Sequence, residues 1–268
     1  MLLFGAAAQF GIFFTIVVAI FFGFDIREAA SIGIIGAADG PTAIFVSNQL
    51  APNLLGPITV AAYSYMALVP IIQPIAIKAV TTKAERRIRM TYKAEGVSKM
   101  TKILFPIIIT IVSGFIAPIS LPLVGFLMFG NLLRECGVLD RLSLTAQNEL
   151  VNIISILLGL TISVKMQADL FLNFQTLMII AFGLVAFIMD TIGGVLFAKL
   201  LNLFRTTKIN PMIGGAGISA FPMSSRVIQK MATDEDPQNF ILMYAVGANV
   251  SGQIASVIAG GLVLAFFS

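Results

Sequence analysis

The sequence predicts an all-α, polytopic membrane protein whose helices are broken at membrane depth. Three observations carry that prediction. Hydrophobic residues make up 58% of the 268 residues and charged residues 11%, with a mean hydropathy of +0.97, far too apolar for the surface of a water-soluble domain. The apolar residues fall into runs close to the roughly 20 residues that cross hydrocarbon. Glycine, proline and polar residues interrupt several of these runs, and backbone that leaves the helix inside a bilayer must be covered by protein or line a watery cavity.

Taken in order, residues 2–24 form a first apolar segment, interrupted only by the polar Gln9 after Ala8. It has no basic region before it and no small-residue cleavage site after it, which argues against a signal peptide. A chain that starts inside an apolar helix leads to the expectation that it is shortened at its N-terminus. After Asp25, Arg27 and Glu28, residues 29–46 form a span broken by Gly36-Ala37-Ala38-Asp39-Gly40-Pro41-Thr42. Residues 54–80 follow, carrying Pro70 and Pro74. The stretch 81–102 is the one extended hydrophilic loop, with Lys83, Arg86, Arg87, Arg89, Lys93, Lys99 and Lys102 against Glu85 and Glu95. The positive-inside rule assigns it to the cytoplasm, either to set topology or to dock an acidic soluble partner. Residues 103–119 and 123–133 are a proline-interrupted span, since Pro118 and Pro122 fall between them. Residues 134–149 read as a polar connector. Residues 150–164 and 177–201 are further spans, joined by a connector containing Lys165 and Asp169. Lys199, Arg205 and Lys208 make a second basic end. The glycine-rich stretch 210–220, a polar stretch through residues 226–239 and a final apolar run at 241–267 complete the chain.

Composition also excludes chemistry. Histidine is absent and Cys136 is the only cysteine, so a histidine general base, a zinc site built on His or four Cys, and an internal disulfide are ruled out. Tryptophan is absent, leaving interfacial anchoring to Tyr, Phe, Lys and Arg. The net charge of +4 is concentrated beside the spans and does not describe a nucleic-acid surface.

The two broken segments, residues 34–41 and 213–220, share a small-residue texture, and each precedes a tyrosine-bearing helix, residues 63–69 and 244–253. They read as an internal, inverted repeat with a binding site between its halves, or as a chance likeness between two Gly-Ala-rich segments. Asp39 is the sharpest residue. An ionised carboxylate at the bilayer centre costs about 2.5–3.5 kcal/mol even on lenient scales, so it is paired, protonated or bound to a cation. Free carbonyls and helix ends beside it are ligands that suit Na⁺. Asp39 before Gly40-Pro41 also reads as a helix cap, and the two roles are compatible. Asn210, Ser219, Asn249, Ser251 and Gln253 offer neutral oxygens, although serine can bond back to its own helix and Asn210 can belong to a turn before Pro211. Arg226 lies within a turn or two of the second break, as an anion-binding or an interfacial arginine. Asp190, followed by Thr191-Ile192-Gly193-Gly194, is a second acid within a span.

Several strings carry a family resemblance. Gly33-Ile34-Ile35-Gly36-Ala37-Ala38-Asp39-Gly40-Pro41-Thr42-Ala43-Ile44-Phe45, residues 50–56 and 60–70, residues 210–219 through Arg226, residues 236–240 and Gly247-Ala248-Asn249-Val250 closely resemble the β subunit of the biotin-dependent, sodium-pumping decarboxylases of oxaloacetate, glutaconyl-CoA and methylmalonyl-CoA. The resemblance covers essentially the whole chain, so that residues 1–268 read as one transmembrane domain matching the C-terminal part of such a subunit. It implies a multi-pass subunit of a prokaryotic cell membrane that decarboxylates carboxybiotin presented by a partner and couples this to Na⁺ export. The cofactors implied are Na⁺ and the biotin carried by the partner. The partners implied are an α subunit with carboxyltransferase and biotin carrier, small γ and δ membrane subunits, membrane lipid and further copies of the chain, with no nucleic acid. Carried over residue by residue, it places the Na⁺ and coupling positions on Asp39, Asn210, Gly214, Ser219 and Arg226, with Tyr65 and Asn249 as nearby participants. Beside it, the physical expectation is that Asp39 binds Na⁺ with the neutral oxygens, that Arg226 holds carboxybiotin or displaces Na⁺, and that Tyr65 relays the proton. The broken-helix repeat by itself equally fits a Na⁺-coupled secondary transporter of an organic anion.

Overall fold

The computed structural model describes residues 2–90, 96–165 and 173–268; Lys93, Glu95 and Asp169 lie outside them. Every regular element among the described residues is helical, as lipid demands of a backbone that must satisfy its own polar groups. Among the described residues, six helical stretches are long and apolar enough to cross a membrane: Leu2–Phe21, Pro52–Val80, Lys99–Ile116, Asp140–Val164, Phe174–Phe204 and Leu242–Phe267.

The first stretch is two helices, α1 (Leu2–Ala7) and α2 (Phe10–Phe21), parted at Ala8-Gln9. The chain turns through Gly23 (φ 91°), and α3 (Ile26–Gly33) starts on Asp25, whose carboxylate accepts from the Arg27 N–H at 3.0 Å. A 3₁₀ turn, Ile34–Ala37, ends at Ala38 in the left-handed region (φ 51°, ψ 44°). That residue re-aims the chain, and α4 (Gly40–Leu50) begins with Asp39 as its cap. Glu28 accepts from Asn53 Nδ2 at 2.9 Å, so the α3–α4 hairpin enters and leaves at one end of the molecule. From there α5 (Leu55–Val80) runs to the opposite end without a break at Pro70 or Pro74. A Thr82–Glu85 capping box starts α6 (Lys83–Arg86).

Helices α7 (Lys99–Ile116) and α8 (Leu121–Glu135) are joined by a 3₁₀ turn, Pro118–Ser120. Residues 134–149, expected as a connector, are helical from Asp140: α9 (Asp140–Thr145) passes through a π turn (Ala146–Leu150) into α10 (Val151–Lys165). The polar residues there satisfy themselves, Gln147 bonding to the Ser143 carbonyl at 3.1 Å and Asn148 to the Leu144 carbonyl at 2.9 Å. Large apolar side chains on α7–α10, such as Phe115 at 85% exposure, form a surface suited to lipid.

The 31-residue α11 (Phe174–Phe204) begins near the Glu28 end, where Phe182 packs on Phe22 and Phe24. It finishes at the basic end, where Lys199 donates to the Val80 carbonyl and pairs with Glu85, both at 3.1 Å. A second hairpin follows: α12 (Met212–Gly215), an irregular tip at residues 216–222, and α13 (Met223–Glu235). Asn210 before it and Asn239 after it both donate to the carbonyls of Arg86 and Ile88. This hairpin therefore enters and leaves at the basic end, opposite to the first. The closing helix is α14 (Leu242–Phe267).

Each repeat is thus a broken hairpin followed by a long helix, and the two are inverted. Each long helix packs on both hairpins, α5 on α4 and α13, and α14 on α13 and α4. The tips meet where the Ser219 N–H donates to the Ala37 carbonyl at 3.0 Å, a bond that lets non-helical backbone persist at membrane depth. Small residues permit the close approach. Gly194 and Gly214 bring their backbones together, and Gly252 lies on the carbonyls of Gly217 and Ile218.

Candidate functional site

The tip-to-tip junction is where the carboxylate foreseen from sequence meets neutral oxygens. Asp39 caps α4, its Oδ1 accepting from the Thr42 N–H at 3.2 Å, with Pro41 in the first turn. The capping and ion-binding readings of Asp39 use different oxygens. Its Oδ2 accepts from Ser219 Oγ of the second hairpin at 3.2 Å and from Ser256 Oγ of α14 at 2.7 Å. Three elements distant in sequence thus converge on one carboxylate, which stays partly accessible while Ser256 is fully buried.

Asn249 lies on the same face of α14 two turns before Ser256. Its Nδ2 donates to the Ile218 carbonyl at 2.7 Å, next to Ser219. Its Oδ1 is buried without a hydrogen-bond partner among the described residues, as is Thr42 Oγ1. Orphaned buried acceptors are costly unless something fills them. A carboxylate with hydroxyl and amide oxygens around it, and no thiolate or imidazole, is a donor set for a hard cation.

Asp39, Ser219 and Asn249 are therefore brought together, and Ser256 joins them unforeseen. Among the described residues no group of three or more acidic or cysteine side chains gathers anywhere that would suit a heavier metal. The remaining foreseen residues lie around this junction in other roles. Gly214 forms the close backbone crossing with Gly194. The Asn210 amide goes to the Arg86 and Ile88 carbonyls at 2.8 and 3.0 Å and to the Met212 N–H at 3.1 Å, so its hydrogen bonds hold the basic segment rather than Asp39. Ser251 donates to the Ala248 carbonyl at 2.6 Å.

Of the two tyrosines on α5, Tyr65 is buried and donates its phenol hydrogen to the Ile180 carbonyl of α11. Tyr63 lays its ring against Gly40, immediately after Asp39, and sequence reasoning passed it over for its neighbour. Two residues apart on a helix, they point to different faces. Arg226 lies one turn inside α13 from the tip; its backbone N–H donates to the Pro222 carbonyl at 3.2 Å, while its exposed side chain makes no hydrogen bond or ion pair among the described residues. An unneutralised guanidinium is suited to a planar carboxylate.

At the basic end, Arg86 bridges to Glu235 at 2.7 Å and Arg89 to Asp236 at 2.6 Å. The Arg86 hydrogen bond holds the Glu235 carboxyl below the usual range, and Arg89 does the same for Asp236. These pairs pin the segment after α5 to the end of α13. Within the second hairpin, Gln73 of α5 donates to the Gly215 carbonyl at 2.8 Å and to Ser224 at 2.7 Å, tying both of its limbs to the first repeat.

A sequence profile of the family described as Na⁺-transporting oxaloacetate decarboxylase beta subunit matches residues 1–267. The chain is 54% identical over 271 residues to the oxaloacetate decarboxylase beta chain of Klebsiella pneumoniae, covering 99% of this chain and 62% of that one. It is 55% identical over 267 residues to the methylmalonyl-CoA decarboxylase subunit beta of Propionigenium modestum, covering 99% of this chain and 67% of that one. Against the glutaconyl-CoA decarboxylase subunit beta of Acidaminococcus fermentans it is 50% identical over 264 residues, covering 98% and 70%. The chain spans about 62% of the length of the oxaloacetate decarboxylase beta chains it matches.

Proposed function

The chain belongs to the β-subunit family of the Na⁺-transporting decarboxylases, and from that membership we propose that it decarboxylates carboxybiotin presented by a partner subunit and couples the reaction to Na⁺ export. The basic segment faces the cytoplasm, toward an α subunit with its carboxyltransferase and biotin carrier, and small γ and δ subunits complete the complex. Biotin stays on the partner. The N–CO₂⁻ bond of carboxybiotin breaks to give CO₂, and the ring nitrogen takes up one proton.

The single observation that carries this reading is the Asp39 carboxylate, accepting from Ser219 of the opposite hairpin and from Ser256 of α14. Na⁺ is the cargo here. Asp39 binds it only when ionised, with Ser219, Ser256 and the free Asn249 oxygen supplying neutral ligands, so proton and Na⁺ compete for one carboxylate. Asn210 and Gly214 act on that site through the hairpin they shape. The two tips come from opposite ends, so a shift of one against the other opens the site to one side at a time.

Arg226, exposed on the limb of the second hairpin that leads to the basic end, holds the carboxylate of carboxybiotin. Tyr65, buried with its hydroxyl on the Ile180 carbonyl, holds α5 against α11, and Tyr63 closes over the Asp39 turn. The test is substrate-driven ²²Na⁺ uptake into proteoliposomes holding the complete complex. Uptake in step with decarboxylation, abolished in Asp39→Asn, supports the reading. Na⁺ uptake driven by an anion gradient, without decarboxylation, would replace it with a secondary transporter.

A further inference from the structure

Asp190 is the second acid at membrane depth, and the Asp39 junction does not use it. It sits at the middle of α11 and is fully buried. Its Oδ1 accepts the N–H of Gly11, in the first turn of α2. That bond replaces the cap that Gln9 does not make, since the Gln9 amide donates to the Gly5 carbonyl at 3.0 Å.

The other oxygen, Oδ2, has no hydrogen-bond partner among the described residues. It lies against Gly36 of the first hairpin, three positions before Asp39. Three more buried oxygens without a partner belong to the same two elements: Thr191 Oγ1 beside it on α11, Gln9 Oε1 at the head of α2, and Thr15 Oγ1 one turn beyond Gly11. A helix cap accounts for Oδ1 and leaves the other four oxygens unexplained. A proton on Oδ2 neutralises one of them, whereas a hard monovalent cation is coordinated by several oxygens at once.

We propose that Asp190, with Thr191, Gln9 and Thr15 as neutral donors, forms a second Na⁺ site distinct from the Asp39 junction. The proposal rests on reading the chain as a Na⁺-translocating subunit. The segment 36–39 touches both carboxylates, Gly36 against Asp190 and Asp39 at its end. A movement of the first hairpin therefore acts on both sites together.

The experiment is equilibrium binding of ²²Na⁺ to the purified complex containing the full-length subunit, with Na⁺-dependent thermal shifts on the same samples. Two Na⁺ are expected per subunit, one in Asp190→Asn and one in Asp39→Asn. Asparagine still accepts the Gly11 N–H, so without Na⁺ the Asp190→Asn complex should melt with the wild type. Two ions retained in Asp190→Asn, or a single wild-type ion lost in Asp39→Asn alone, would overturn the second site and leave the first reading standing. No saturable binding in the wild type would overturn both. If Asp190→Asn does not assemble, Thr191→Val serves instead: a loss of about tenfold in the affinity of one of two sites supports the proposal, and two unchanged affinities contradict it.

Discussion

Ser256 Oγ donates to Asp39 Oδ2 at 2.7 Å, fastening the last helix to the tip of the first hairpin. The same hydroxyl lies 2.9 Å from the Gln253 carbonyl, so the helix itself holds it in place. A hydrogen bond to a charged group is worth about 1.5–3 kcal/mol, and about 1.4 kcal/mol is a factor of ten in binding. Ser256→Ala is therefore expected to raise the Na⁺ concentration for half-maximal decarboxylation by about tenfold. A Na⁺ titration of the assembled complex checks this, and an unshifted midpoint would remove Ser256 from the site.

The Gly194–Gly214 crossing leaves no room for a side chain, because a Cβ on either glycine would strike the other's carbonyl oxygen. Backbone cannot yield as a flexible side chain does. Gly214→Ala is expected to cost about 1–3 kcal/mol, the usual penalty of overpacking, and to lower the thermal unfolding midpoint in detergent. Gly215→Ala is the control: its Cβ would meet the Ile77 Cδ1 terminus at 3.1 Å, which can turn away.

Ala38 is the one non-glycine residue with positive φ among those described, a conformation that costs an L-residue about 1–2 kcal/mol. Glycine relieves that cost and forfeits about 0.8 kcal/mol of methyl burial. Ala38→Gly should therefore unfold at or slightly above the wild-type temperature, whereas Ala38→Val, β-branched and left-handed, should unfold well below it. Equal midpoints for the two variants would show that Ala38 is not held in this turn.

At the basic end the pH dependence has a definite sign. Glu235 and Asp236 are held below the usual carboxylate range by Arg86 and Arg89. Their contribution is complete above the ordinary value of about 4 and is lost only as pH falls through their lower folded values. Hydrogen exchange of the segment after α5, corrected for intrinsic rates, should be flat from neutral pH to about 5 and rise below about 4. A rise already near neutrality would mean that these pairs do not hold it.

How much of this was legible in the sequence follows from how each residue is used. Asp39, Ser219 and Asn249 stood out because polar residues beside helix breaks in an apolar run need a covered interior, and the structure supplies one. The inversion of the repeat was legible only in outline, since Glu28, Asn53, Asn210 and Asn239, which fix the end each hairpin enters, read as ordinary connector residues. Ser256 gave no signal: a lone serine in an apolar helix bonds back to its own carbonyls, and only the approach of the first hairpin gives its hydroxyl a second partner. Asn210 shows the converse, a conspicuous polar residue whose amide is spent on loop carbonyls. The helical course of residues 140–149 was hidden because Gln147 and Asn148 read as solvent-seeking and instead bond along their own helix.

The measurement that tests the central claim most directly is the rate of carboxybiotin decarboxylation by the complete complex across a Na⁺ titration, in wild type and Asp39→Asn. A saturable Na⁺ dependence in the wild type, abolished in the variant while the complex stays assembled, is the result expected if the ion sits where the two hairpins meet. Full Na⁺-stimulated turnover in Asp39→Asn would contradict it.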